Sequence, residues 1–174
     1  MFLGFNGLSF SQKKIAEAAG ITTEIHKRGM LLEEMSKAVS ILAPSMQFWM
    51  KRFATISDLA SLVTYFQQPA GIEWQGVFEY EDEDDEGDDD AGHYSIVTKI
   101  DTHKNTVIIA DPYKQYAGKD RKFSVLEFER RWWDINEVFD PATRHKTEMY
   151  DYHVIFTVTP SFATFPEELK MERG

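Results

Sequence analysis

The sequence predicts an α+β fold, an antiparallel sheet flanked by helices, in a single domain over residues 1–174. Three observations lead there. Helical periodicity dominates the first third of the chain. The strand-like runs that follow are mostly neighbours in sequence, without the regular intervening helices that parallel strands require. A chain of 174 residues with 14% aromatics suffices for one sizeable core.

In SFSQKKIAEAAG, Ser9 and Gln12 have capping-box spacing, Ile15, Ala16 and Ala19 share a face, and Gly20 stands where a helix stops, which predicts a helix over about 11–19. Residues 30–42 place Leu31, Met35, Ala38 and Leu42 on one stripe before Pro44, a second helix. The aromatic run Met46–Lys51 reads as a strand. SDLASLVTYFQQP then carries Leu59, Leu62, Val63 and Phe66 at helical spacing, between a cap at Thr55 or Ser57 and the breaker Pro69. IEWQGVFEY (72–80), residues 92–100, TVIIAD (106–111) and MYDYHVIFTVTP (149–160) read as strands. The last alternates Tyr150, Tyr152, Val154, Phe156 and Val158 against Asp151, His153 and Thr157. One helix interrupts these strands, SVLEFERRWW (124–133), with a capping box of Ser124 and Glu127.

Composition narrows the function. The chain has no cysteine, so it supplies no disulfide, thiolate zinc site or thiol nucleophile. Ten of the 29 acids behind the formal charge of −10 fall in EYEDEDDEGDDD, residues 79–90, leaving 19 acidic against 19 basic side chains. A body so balanced, without a basic stripe, argues against nucleic acid as a partner. No run is long enough for a membrane span, and MFLGFNGLSF lacks the features of a signal peptide, so the chain reads as cytoplasmic.

The richest stretch is GHYSIVTKIDTHKNTVIIADPY, residues 92–113. A hairpin turn at DTHKN makes His93 and Asp111 direct or diagonal cross-strand neighbours on one face, with Cβ atoms about 4.5–8 Å apart. Tyr94, Ile96 and Ile100 on one side of this strand and Val97 on the other mark it as central and covered on both faces. A carboxylate on one imidazole nitrogen fixes the tautomer and suits the other to take a proton from a thiol or hydroxyl. The structural alternative is that His93 ends a strand while Asp111 makes an Asx turn with Pro112.

The order of these features resembles the bacteriocin-processing cysteine peptidases, the papain-like double-glycine leader peptidases. The G-H-Y-x-x-V pattern is matched by Gly92, His93, Tyr94 and Val97, the following D-P by Asp111 and Pro112, F-x-x-x-W by Phe128 and Trp132, and S-Q-x-x-I-A by Ser11, Gln12, Ile15 and Ala16. The resemblance spans about residues 3–135 and implies a papain-like fold with His93 as base and Asp111 as orienter. It also implies a departure. Family members carry a glutamine and then C-G-P on a helix that leads into the equivalent of LGFNGLSFSQKKIA, and here only Met1 and Phe2 precede that point. The nucleophile, its helix and the oxyanion-hole glutamine are therefore expected to be missing. The chain is then either a non-catalytic relative that binds a peptide or protein segment, or part of a cysteine peptidase whose nucleophile lies upstream or on another chain. A missing helix would bare apolar surface, which favours a homo-oligomer.

Trp74 and Gln75 are candidates to line the pocket beside His93, against the plainer reading of a core tryptophan and a polar strand residue. Trp132 and Trp133 read as core or cleft wall. The acidic loop, 79–91, mimics the start of an EF-hand through Asp82, Asp84, Glu86, Gly87 and Asp88, but position twelve is His93 instead of a glutamate. It reads as a solvated loop that can favour basic peptides through its field. His26, His103, His145 and His153 lack ligand spacing, so no metal and no cofactor is expected.

Overall fold

The computed structural model describes residues 2–23, 25, 29–76, 93–113, 116–140 and 145–174. They form an α+β arrangement of short helices and mainly antiparallel strands. The predicted acidic loop, Gly92, His26 and the continuation of the 72–80 strand past Gly76 lie outside the described residues. The chain divides into two compact units, residues 1–51 with 156–174, and residues 52–155.

The first unit begins with a single turn, α1 (Phe2–Phe5), and α2 (Gln12–Ala19). The cap of α2 is Ser11 and not Ser9: its hydroxyl accepts the Lys14 N–H at 3.2 Å, and Gly20 closes the helix at φ 84°, where a side chain would be strained. Helix α3 (Leu32–Leu42) starts where the Glu34 carboxylate accepts the Leu31 N–H at 2.9 Å. Its buried residues are Leu32, Ser36, Ala38 and Val39, a stripe rotated from the expected one so that Leu31, Met35 and Leu42 are only partly covered. Ala16, Ala19, Ile21 and Ala38 make a small-residue core between α2 and α3. Strand β1 (Met46–Lys51) lies where predicted. It is flanked by β8 (Ile155–Pro160, all but its first residue in this unit) and by the two-residue β9 (Glu172–Arg173), which follows the single turn α6 (Phe165–Glu168). Phe48 stacks on Phe156, and Trp49 Nε1 donates to Thr159 Oγ1 at 3.0 Å.

The second unit opens with α4 (Ile56–Ala60), capped by Thr55, whose Oγ1 accepts the Asp58 N–H while Asp58 accepts the Thr55 N–H in return. Residues Ser61–Tyr65 continue it as a π-turn, with the Phe66 N–H bonded to Ser61 O. Four strands follow in the spatial order β5-β4-β3-β2: β2 (Ala70–Trp74), β3 (His93–Asp101), β4 (Thr106–Ala110) and β5 (Asp120–Phe123). All three pairings are antiparallel, and β3 is central. The β3–β4 register shifts between Val97 and Lys99, which carries Ile100 onto the face of Val97 instead of that of Tyr94 and Ile96. Strand β5 was not expected. Helix α5 (Val125–Arg131), capped by Ser124, ends before Trp132, and Trp133 already begins β6 (Trp133–Asp140).

Strand β6 pairs with β7 (His145–Tyr152) in a separate two-stranded sheet. The single strand expected over 149–160 is thus two, β7 and β8, broken at His153, where φ is +51°. The break reverses the anticipated faces: Tyr150 and Tyr152 are exposed and stacked, whereas Asp151 is buried.

Candidate functional site

The best-defined polar constellation in the predicted region lies wholly in the second unit, at the end of β3 where the chain enters it. The ladder pairs Trp74 with His93 and Ile72 with Ser95 on one side, and Ile96 with Ala110 on the other. Continued by one residue, that register puts Asp111 opposite Ser95 and diagonal to His93. Alternation leaves Trp74, His93, Ser95, Ile109 and Arg121 on a common face.

Trp74 is the floor of the site. Its ring is fully buried, edge-on to Phe123 with centroids 5.2 Å apart, and its Nε1 donates to Ser95 Oγ at 3.0 Å. Phe128 from α5 packs tilted against it, with centroids 6.1 Å apart. The His93 imidazole lies 5.8 Å from Trp74 and 4.8 Å from Tyr113 between centroids, perpendicular to the tyrosine ring. A ring held between two aromatics has little rotational freedom.

Asp111 follows the last residue of β4. Its Oδ1 accepts the Tyr113 N–H at 3.0 Å across Pro112, an Asx turn. Its Oδ2 lies 3.3 Å from His93 Nε2. The aspartate thus both turns the chain and faces the imidazole. A carboxylate only accepts, so the contact places a hydrogen on Nε2. The side chain of Asp111 has no exposed surface, and that of His93 is 10% exposed.

A third partner was absent from the sequence reading. Arg121 Nη1 reaches the same Oδ2 at 2.6 Å, and its guanidinium lies 3.8 Å above the Tyr116 ring. Charge-assisted N–H···O bonds run about 2.7–2.9 Å, so Arg121 holds Asp111 more tightly than His93 does. The negative charge facing the imidazole is thus partly answered from behind. The available signal was the alternation of β5, Arg121 and Phe123 buried with Asp120 and Lys122 exposed, but four residues are too few for that pattern to stand out.

Family models, curated proteins and solved structures give no match to this chain.

The other sequence candidates are dispersed. Gln75, next to Trp74, sends its amide to Asp134 Oδ1 at 2.9 Å and its N–H to the Arg131 carbonyl, which commits it to β6 and α5. Trp132 is fully buried and donates to the Val154 carbonyl, with His153 stacked on it at 4.8 Å. Trp133 Nε1 bonds the Arg130 carbonyl. His145 is exposed at the start of β7, and His103 lines an open groove of about 740 Å³ with Ser61, Thr64, Tyr65 and Lys99. That groove lies at the turn end of β3 and begins at Thr98, about 17 Å along the strand from His93. Among the described residues no group of three or more His, Asp or Glu is placed to hold a metal ion, and no helix is long and apolar enough to cross a membrane.

Proposed function

We propose that this chain carries the base and orienter of a papain-like cysteine-peptidase site, as its resemblance to the leader peptidases implies, and that it binds a peptide segment without cleaving it. The observation that carries this reading is the 3.3 Å contact between His93 Nε2 and Asp111 Oδ2 at the rim of a sheet. In such a site the carboxylate orients the imidazole through one nitrogen, and the other exchanges a proton with a thiol. The chain contains no cysteine, so it supplies no thiol from which an acyl-enzyme could form.

The 2.6 Å ion pair of Arg121 with Asp111 favours a second reading, a binding module in which the Arg-Asp-His chain is structural. A carboxylate saturated by a guanidinium and a backbone N–H is well suited to fix a turn. The two readings part on one experiment. Unfolded peptides, including basic ones, are incubated with the wild-type chain and with His93→Ala, and both bound peptide and cleavage products are measured. Peptide binding that weakens in His93→Ala, with no product from either, supports the first reading. Binding indifferent to His93 supports the module. Product that disappears in His93→Ala overturns both, because another nucleophile must then be at work.

A further inference from the structure

The face of β2 opposite Trp74 carries a second polar cluster, independent of the His93 site. Glu73 is 1% exposed, in a strand whose five residues are all buried. Its Oε1 accepts from Asn136 Nδ2 on β6 at 3.0 Å, and the same amide reaches Asp151 Oδ2 on β7 at 3.2 Å. Asp134 and Asp151 stand directly opposite each other in the β6–β7 ladder, and both are buried. Like charges so placed repel. Gln75 supports Asp134, and Arg52 Nε binds Asp151 Oδ1 at 2.7 Å. Tyr94 is the cross-strand partner of Glu73 on β3.

One atom stands out in this cluster. Glu73 Oε2 is buried and has no hydrogen-bond partner among the described residues. An ionised carboxylate would leave that oxygen charged, desolvated and beside two further carboxyls, with the Arg52 guanidinium already engaged by Asp151. A carboxylic acid removes the charge and gives Oε2 a hydrogen that can turn toward the neighbouring Asp134 or Tyr94. We propose that Glu73 binds one proton on behalf of this cluster and, as the neutral acid, latches the β6–β7 hairpin onto β2.

The electrostatics run the same way. Burial pushes the Glu73 carboxyl above the usual carboxylate range and the charge of Asp151 adds to the push, while the Asn136 amide, Tyr94 and Asp134 act against it. Burial, followed by the charge of Glu73, also drives the Tyr94 hydroxyl well above its ordinary range, so Tyr94 stays neutral. Because the folded state keeps the Glu73 proton to higher pH than an unfolded chain does, it binds more protons over that interval. The latch is therefore at full strength below the ordinary carboxylate range and weakens as pH rises through the elevated value in the fold.

Urea unfolding of the wild-type chain and of Glu73→Gln, from about pH 4 to about pH 8, tests the latch. The wild-type midpoint is expected to fall as pH rises. Glu73→Gln, which mimics the neutral acid, is expected to lose that fall and to exceed wild type at the alkaline end. An unchanged pH slope in Glu73→Gln overturns the proposal. If that variant does not fold, carbon-13 NMR titration of the glutamate carboxyls in the wild-type chain decides: one carboxyl titrating above the others supports the latch, and all titrating together removes it. Neither outcome depends on whether the His93 site binds or cleaves peptides.

Discussion

Asp111 is bound from three directions, by His93, by the Tyr113 N–H and by Arg121, and the distances rank them. Arg121→Ala would strand a buried carboxylate, and removing one member of a buried pair costs about 3–5 kcal/mol, read as a lower urea midpoint. Arg121→Lys keeps the charge but gives up the flat stacking on Tyr116, so part of that loss is expected to remain. His93→Ala removes only the longest of the three contacts and is expected to cost less than Arg121→Ala. The His93–Asp111 meeting was legible in the sequence because antiparallel pairing fixes which residues face each other once the turn is placed. Arg121 and Glu73 were not legible: Arg121 stands in the charged run DRKF and Glu73 in the apolar run AGIEW, and neither setting tells whether a charged side chain points to solvent or is buried against a partner.

Among the elements, α4 and α5 were readable from their caps, Thr55 and Ser124. Ser124 accepts the Glu127 N–H at 3.1 Å as its spacing implied, and Ser124→Ala is expected to cost about 1 kcal/mol in urea unfolding. That helix presses Phe128 onto Trp74, so the same substitution should speed hydrogen exchange at the Trp74 indole N–H. Strand ends were harder. MYDYHVIFTVTP alternates convincingly, yet His153 takes a positive φ, its Nδ1 meets the Ala54 carbonyl at 3.2 Å and its ring stacks on Trp132, so tertiary contacts break a run that local pattern joins. Ile100 changed faces for a comparable reason, since period-two reasoning cannot anticipate a bulge.

At the scale of the whole molecule, charge is concentrated in one stretch. The ten acids of residues 79–90 account for the full formal charge of −10 and immediately precede the segment that opens with Gly92 and His93. Replacing them with Ser and Gly is expected to weaken the binding of a basic peptide and to flatten its salt dependence, measured by titration calorimetry at low and moderate ionic strength. Unchanged affinity would mean that the run has no part in recognition. Helix-first order and adjoining strands disclosed the α+β class, whereas the division of the chain into two compact units has no signature in burial patterns, which mark only which residues face inward. The proposed role of His93 depends above all on how its imidazole is held. Nitrogen-15 NMR of the His93 ring at neutral pH reads this directly: a hydrogen on Nε2, bonded to Asp111, is the predicted result, and an Nε2 without a hydrogen would contradict it.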